Sequence, residues 1–422
     1  MIFYKENEFQ DSPIGKIPKE WESRSLKNVV ASCENGVWGD EPSSSDDSYP
    51  VIRSTEITHD GKIDLSSVAR RKIPEERVER YALENGDILV VGSSGSAHLI
   101  GRTALFLNPD NGKYLFSNFM IRIRPRNTNP YFLHYFLNSG KYFGFLRRLQ
   151  QTSTGLRNLQ KKEFLRLNVP FPPLPEQKAV VGVLGVVDSA IGLVDRVIWK
   201  TERLKKGLMQ TLLTRGIGHN EYKDTPIGKT PKTWQTAELG GVCNQRSEII
   251  QPSREGTNIF IGLEHITSGE VTTHSYSSDL DIRSSKFRFY PKDILYGKLR
   301  PYLDKAVLVD FDGISSTDLL VLTAQKEKAL PEFLIYVLHS SEFIKHAIAT
   351  TTGTNHPRTS WKAISKFEFG LPQPSEQQRI AEILFAVNKK LDLERKEKAR
   401  LERVKRGLMD LLLTGKVRVK VD

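Results

Sequence analysis

Residues 174–216 recur at 374–416, 200 residues further on, with no insertion or deletion between the copies. The first copy opens on Leu174-Pro175-Glu176-Gln177 and closes on Leu204-Lys205-Lys206-Gly207-Leu208-Met209, then Thr211-Leu212-Leu213-Thr214. The second opens on Pro374-Ser375-Glu376-Gln377 and closes on Val404-Lys405-Arg406-Gly407-Leu408-Met409, then Leu411-Leu412-Leu413-Thr414. Loops tolerate insertions, so a long segment of fixed length reads as a rigid rod. Val180, Leu184, Val187, Ile191, Val194 and Ile198 follow a 4-3-4-3-4 spacing, the seam of a coiled coil. In the second copy the seam runs Ile380, Leu384, Val387 and Leu391, lapses at Glu394 and Lys398, and resumes at Leu401, Val404, Leu408 and Leu412. Ser375 with Gln378 fits a capping box, and Pro175 suits a first helical turn. Gly216 and Gly415 stand where each helix would stop. Gly182, Gly185, Gly192 and Gly207 weaken a helix by about 1 kcal/mol each against alanine. The shared Gly207 and Gly407 therefore predict close helix packing at that place.

The repeat extends beyond the helices. Ser12-Pro13-Ile14-Gly15-Lys16-Ile17-Pro18-Lys19-Glu20-Trp21 matches Thr225-Pro226-Ile227-Gly228-Lys229-Thr230-Pro231-Lys232-Thr233-Trp234, and Gly86-Asp87-Ile88-Leu89 matches Lys292-Asp293-Ile294-Leu295. The offset shrinks along the chain, so insertions lie within the parts between the helices. Those parts alternate short apolar runs with turn residues. Tyr49 to Ile57, Asp87 to Val91 and Leu115 to Ile123 predict strands in the first half. Ile259 to Ile266, Asp293 to Tyr296, Lys305 to Val309 and Asp318 to Thr323 predict them in the second. Helices are expected over Pro130 to Leu137, Pro331 to Ser340 and Glu342 to Ala349, and Trp21 and Trp234 are expected as packing anchors. The expected fold class is α+β. Two β-rich globular domains (1–174 and 225–374) are each followed by a long helix (175–215 and 375–414), with a linker at 216–224 and a tail at 415–422. The chain's start and tail resemble the linker between the halves. A pseudo-twofold repeat with the helices paired antiparallel is therefore the natural arrangement.

Sixty-two Lys and Arg against 50 Asp and Glu give a net charge of +12, which favours an anionic partner. Cys33 and Cys243 are the only cysteines, which argues for a reducing compartment and against a Cys-rich zinc site. With no signal-peptide pattern and no apolar run of membrane-spanning length, a cytoplasmic location is expected. No catalytic constellation emerges. Ile227-Gly228-Lys229-Thr230 carries a GKT, but Lys223 stands where a P-loop needs its first glycine. Asn129-Pro130-Tyr131-Phe132 lacks the second proline of a DNA methyltransferase turn and has no Gly-rich cofactor loop before it. His265 and His274 lack the spacing of a metal pair, and Asp110 near Lys113 has no second acidic ligand. Neither a catalytic residue nor a metal ligand is expected.

The order of these motifs, given twice, resembles the specificity (S) subunit of type I restriction–modification systems. The resemblance rests on the Pro-x-x-Trp openings, the Asp-Ile-Leu strand, the Pro-Leu-Pro-Glu-Gln elbow and the Leu-Lys-Lys-Gly-Leu-Met helix end, and it covers essentially the whole chain. It implies that each globular part is a target recognition domain reading one half of a bipartite, asymmetric double-stranded DNA site. It implies an antiparallel coiled coil that sets the spacer and docks two modification (methyltransferase) subunits, with restriction (translocase/nuclease) subunits completing the complex. The subunit itself would be non-catalytic and bind no cofactor. S-adenosylmethionine, ATP and Mg²⁺ would belong to the partners. Candidate DNA-binding residues are Arg53, Ser94, Ser96, His98, Arg102, Arg157 and Asn158 in the first domain, with Ser93 and Glu56 beside them. In the second they are Lys298, Arg300, Tyr302, Asn355, His356 and Arg358. The basic run Arg395, Lys396, Lys398, Arg400, Arg403, Lys405 and Arg406 could line spacer DNA or meet an acidic partner. Two alternatives compete: a self-contained DNA methyltransferase, which would bind S-adenosylmethionine, and a coiled-coil adaptor that binds DNA without sequence preference.

Overall fold

The computed structural model describes residues 2–42, 48–151, 158–252, 259–273, 275–278 and 284–421. It divides into two units, Met1–Leu193 with Lys398–Asp422, and Val194–Glu397. The long helices run over Leu174–Arg215 and Pro374–Leu412. Each unit thus holds one globular part, a portion of the first long helix and a portion of the second.

In the first unit a four-stranded antiparallel sheet runs in the order Val30–Asn35, Met120–Pro125, Ile88–Val91, Thr103–Leu105. The second unit repeats it as Cys243–Arg246, Leu319–Ala324, Asp293–Gly297, Ala306–Leu308. A mixed sheet accompanies each, of three strands in the first unit and five in the second among the described residues. Its parallel pair is Tyr49–Ile52 with Leu115–Phe116 in the first unit and Ile259–Ile261 with Gly313–Ser315 in the second. The expected strands at Tyr49 to Ile57 and Ile259 to Ile266 are shorter than the apolar run suggests, because each turns into a 3-10 helix at Ser54–Glu56 or Leu263–His265. The Asp-Ile-Leu motif is explained by its carboxylate. Asp87 is buried, accepts from Glu84 N–H at 2.9 Å, and meets Arg124 Nε at 2.8 Å. Asp293 is buried likewise and accepts from Tyr290 N–H and Arg246 Nε, both at 2.9 Å. A buried charge held this way fixes the turn that starts the central strand.

The helices Pro130–Phe136 and Pro331–Leu338 cover the sheets, and Ser341–Ala349 follows in the second unit. Its first-unit counterpart, Gly140–Gln151, escapes the sequence reading because Gly140 and Gly144 weaken the helical signal. Asn129 caps Pro130–Phe136 through Tyr131 N–H at 2.9 Å, so the methyltransferase-like Asn-Pro-Tyr-Phe is a helix start. Gly228-Lys229-Thr230 lies in the hairpin strand Gly228–Pro231, which is no P-loop setting.

The elbow motif places a buried glutamine and an enclosed or half-buried glutamate at the start of each long helix. Gln177 Oε1 accepts from Asn129 N–H at 2.8 Å while its amide donates to Pro172 O at 2.8 Å. Gln377 accepts from Leu330 N–H at 2.8 Å and donates to Pro372 O at 2.9 Å. The preceding glutamate receives the opening tryptophan: Trp21 Nε1 donates to Glu176 at 3.0 Å and Trp234 Nε1 to Glu376 at 2.9 Å. Gly216 and Gly415 end the helices at φ +66 and +68, and a Cβ at either would collide with that same tryptophan's surroundings. The capping box expected at Ser375 and Gln378 does not form. Pro374 is already helical, and Gln378 donates to Glu382 at 2.7 Å instead.

The first unit joins the chain's two ends: Ile2–Lys5 pairs antiparallel with Val417–Lys420. Arg418 from this tail meets Glu176 at 2.9 Å, Glu6 at 3.0 Å and Glu20 at 2.7 Å. In the second unit the segment after Gly216 takes that place, with Ile217 N–H and His219 Nε2 reaching Glu376 Oε1 at 2.9 and 2.8 Å. The expected likeness of tail and linker is therefore a likeness of role.

Parts of both long helices share a core within each unit. Val180 and Leu184 pack in one cluster with Met409, Leu412 and Leu413 in the first unit. Leu212 packs with Ile380 and Leu384 in the second. The resumed seam differs from expectation at Val404, which is exposed. Lys405 turns inward instead and meets Asp188 at 2.6 Å, where Tyr135 Oη also donates at 2.6 Å. At the corresponding place in the second unit Asn388 donates to Tyr336 Oη at 2.9 Å. Arg395, beside the lapse at Glu394, pairs with Glu202 at 2.9 Å and with Glu270. Arg395 and Lys405 of the basic run are thus engaged in ion pairs within the chain.

Close packing at Gly207 and Gly407 is not found: a Cβ at either would meet open space. Gly207→Ala and Gly407→Ala are therefore expected to raise the stability of the isolated chain by about 1 kcal/mol each. Urea unfolding of the two variants checks this.

Near the Asp188 site, His134 is largely enclosed. Burial and the Lys405 ammonium push its imidazole down to about 4. The unfolded chain therefore binds more protons there than the folded one between about pH 6.5 and 4, and the first unit loses stability as pH falls through that window. His134→Asn is expected to flatten this part of the pH–stability profile, measured by melting at pH 7 and pH 4.5.

Candidate nucleic-acid interface

The topology brings two loops together at one end of each central sheet. In the second unit the first loop follows the strand Asp293–Gly297 and carries Lys298, Arg300 and Tyr302. The second is the closing loop with Asn355, His356 and Arg358. Arg300 N–H donates to Pro357 O at 2.8 Å, Thr359 N–H to Lys298 O at 3.0 Å, and Leu299 bridges Arg358. Arg358 Nε also reaches Asp318 at 3.1 Å. Arg300, Tyr302, Asn355, His356 and Arg358 are exposed, and Lys298 is half-buried. Arg300 (φ 52) and Asp304 (φ 49) both lie in the left-handed region, one at each end of the turn Pro301–Leu303. Strain of that kind in a non-glycine residue is kept only where the surroundings enforce it.

The first unit repeats the arrangement with other residues. Leu159 N–H donates to Gly92 O at 2.7 Å, Ser93 bridges Asn158, and Ser93 Oγ donates to Asn158 Oδ1 at 2.5 Å. Ser94 turns back to accept from Ser96 N–H at 3.1 Å. Ser96, His98 and Asn158 are exposed, while Arg102 is half-buried and its backbone continues the sheet through Val91. Arg157, with the closing-loop residues 152–156, lies outside the described residues, as does His274.

Arg53 is not drawn into this pair of loops. It caps the turn Ser54–Glu56, where its guanidinium meets the buried Glu56 at 2.7 Å. Burial pushes the Glu56 carboxyl up, but bonds from Arg53 and Thr55 outweigh this and hold it below the usual range. The second unit uses His265 for the same turn, its Nδ1 accepting from Gly262 N–H at 2.9 Å, which gives that histidine a structural role. Asp110 accepts from Gly112 N–H at 2.9 Å, and Lys113 pairs with Glu75 and Glu79, so neither forms a nuclease-like cluster. The sequence reading missed Asp304, His339 and Asp318 as supports of the loops.

Taken together, each unit presents a strand-end loop stitched to a closing loop, rich in amide, hydroxyl, imidazole and guanidinium groups. These groups suit phosphate contact and base-edge hydrogen bonding. The type I restriction modification DNA specificity domain model matches residues 18–199 and again 231–403. The chain belongs to this family. It is 27% identical over 443 residues to the type I restriction enzyme MjaVIII specificity subunit of Methanocaldococcus jannaschii, covering 100% of this chain and 98% of that one. It is 20% identical over 402 residues to the EcoDI specificity subunit of Escherichia coli, covering 88% of this chain and 83% of that one. Its fold is similar to the type I restriction–modification S subunit from M. genitalium, with a TM-score of 0.56 at 14% identity, covering 93% of this chain and 96% of the other.

Proposed function

We propose that the chain is the non-catalytic DNA-recognition subunit of a type I restriction–modification complex, each globular part reading one half of a split, asymmetric double-stranded site. The observation that carries this is the pair of equivalent loop junctions, built on the same sheet ends from different side chains. Equivalent placement gives two reading heads. Different residues, Ser93 and Asn158 in one and Arg300 and Arg358 in the other, give two different half-sites.

The long helices are read as an antiparallel coiled coil that sets the spacer. Support comes from the cores, in which an early part of one helix packs with a late part of the other in each unit. Large apolar side chains also stay exposed along them. Val186 and Val404 do so in the first unit, and Trp199, Phe385 and Leu393 in the second. Such side chains on a charged helix suit docking of two modification subunits, with restriction subunits joining the complex. S-adenosylmethionine, ATP and Mg²⁺ are assigned to those partners. The adaptor alternative predicts binding without sequence preference, and the methyltransferase alternative predicts S-adenosylmethionine binding by this chain alone.

Insertion of one heptad into both long helices, within a reconstituted complex, tests the spacer role. The methylated target is expected to keep both half-site sequences and gain spacer length. An unchanged spacer would refute the ruler.

A further inference from the structure

Asp304 is a junction. Its backbone N–H donates to Pro301 O at 3.0 Å, which closes the turn that carries Tyr302. Its carbonyl accepts from Gly269 N–H at 2.9 Å, and the Gly269 carbonyl in turn accepts from Lys205 Nζ on the long helix at 2.8 Å. The Asp304 carboxylate meets His339 Nδ1 at 2.7 Å. His339 ends the helix Pro331–Leu338, its side chain is 2% exposed, and its Nε2 faces Ala306 O at 3.0 Å. Both ring nitrogens therefore face oxygen atoms, Asp304 Oδ1 at one and Ala306 O at the other. His339 is enclosed while the Asp304 side chain is 24% exposed, so the contact ties the turn to a fixed point of the core.

The first unit solves the same problem without charge. The strand registers place Gly101 where Asp304 stands, and the helix caps place Asn138 where His339 stands. Gly101 has φ +80, matching the left-handed Asp304. Asn138 donates to Thr103 Oγ1 at 2.8 Å, and the loop is pinned by Tyr142 Oη donating to Gly101 O at 2.7 Å.

We infer that Asp304 and His339 are positioning residues for base reading by the second domain: their side-chain contact holds the turn 300–303 against its own strain, so that Arg300 and Tyr302 are presented in one arrangement. The inference rests on the DNA-recognition role proposed above. It makes the second reading head dependent on a carboxylate–imidazole contact where the first has Gly101 and Asn138.

The test uses the full chain in complex with its modification subunit and duplexes carrying the mapped target, with single base-pair substitutions in each half. Asp304→Gly and His339→Asn install the first unit's own residues, and glycine suits the backbone at 304. Each variant is expected to lower discrimination between correct and substituted bases in one half-site by about tenfold, the scale of one base-edge contact. Discrimination in the other half-site is expected to stay unchanged when the assay is run well below each variant's melting temperature, which is expected to fall. Asp304→Asn, which tolerates the left-handed backbone and still bonds the imidazole, is expected to restore discrimination. Unchanged discrimination in both halves, or equal loss in both, would overturn the inference. A wild-type complex that discriminates at neither half would instead sink the recognition role itself.

Discussion

Arg418→Met is expected to destabilise the first unit by about 3–5 kcal/mol, the cost of leaving a buried charge without its partner. Glu176 is only 2% exposed, and among the described residues Arg418 is its one cationic partner, meeting it through both Nε and Nη2 at 2.9 Å. Removing the guanidinium also takes the cation from Glu6 Oε2, leaving that carboxylate, among the described residues, only the Asn7 and Glu8 N–H groups on Oε1. The effect should appear as a lowered first transition in thermal or urea unfolding. Adding Glu176→Gln to Arg418→Met should recover much of the loss, because the amide oxygen still accepts from Trp21 Nε1 while the unpaired charge is gone. An Arg418→Met chain as stable as the parent would show that the joined termini contribute nothing.

The second large effect is expected on DNA. Arg300→Gly keeps the left-handed backbone and removes the guanidinium; combined with His356→Ala it strips two exposed groups from the stitched loops of the second domain. Affinity for the cognate duplex is expected to fall by about 10- to 100-fold, on the scale of one or two base-edge contacts. Affinity for a scrambled duplex at the same salt should change far less. Fluorescence anisotropy with both duplexes measures this. Arg53→Ala should behave differently. Its guanidinium serves the buried Glu56, so the loss is expected in stability rather than in base preference.

The long helices were legible because a period of 3.5 and a fixed 200-residue offset are local, countable signals. Their phase was not fully legible. A seam counted from apolar residues alone selects Val404, whereas the chain buries the stem of Lys405 and spends its ammonium on Asp188. The Glu-Gln pair of each elbow was visible as a motif, but its work was not. Gln177 and Gln377 are fully buried because they satisfy backbone groups of segments 47 to 49 residues away. The joined termini are a contact between opposite ends of the chain, beyond any local pattern. The same reason hid the loop stitching. Lys298, Arg300, Asn355, His356 and Arg358 could each be nominated as polar loop residues, but their meeting depends on sheet order. Asp304 and His339 carry no turn or cap signature that would mark them as loop supports.

The most direct test of the recognition role is to reconstitute the chain with its modification subunit, methylate genomic DNA, and map the modified bases at single-nucleotide resolution. Two reading heads with different side chains predict one motif of two unlike half-sites separated by a fixed, unspecified gap. A continuous motif, a palindrome, or methylation without a motif would contradict it.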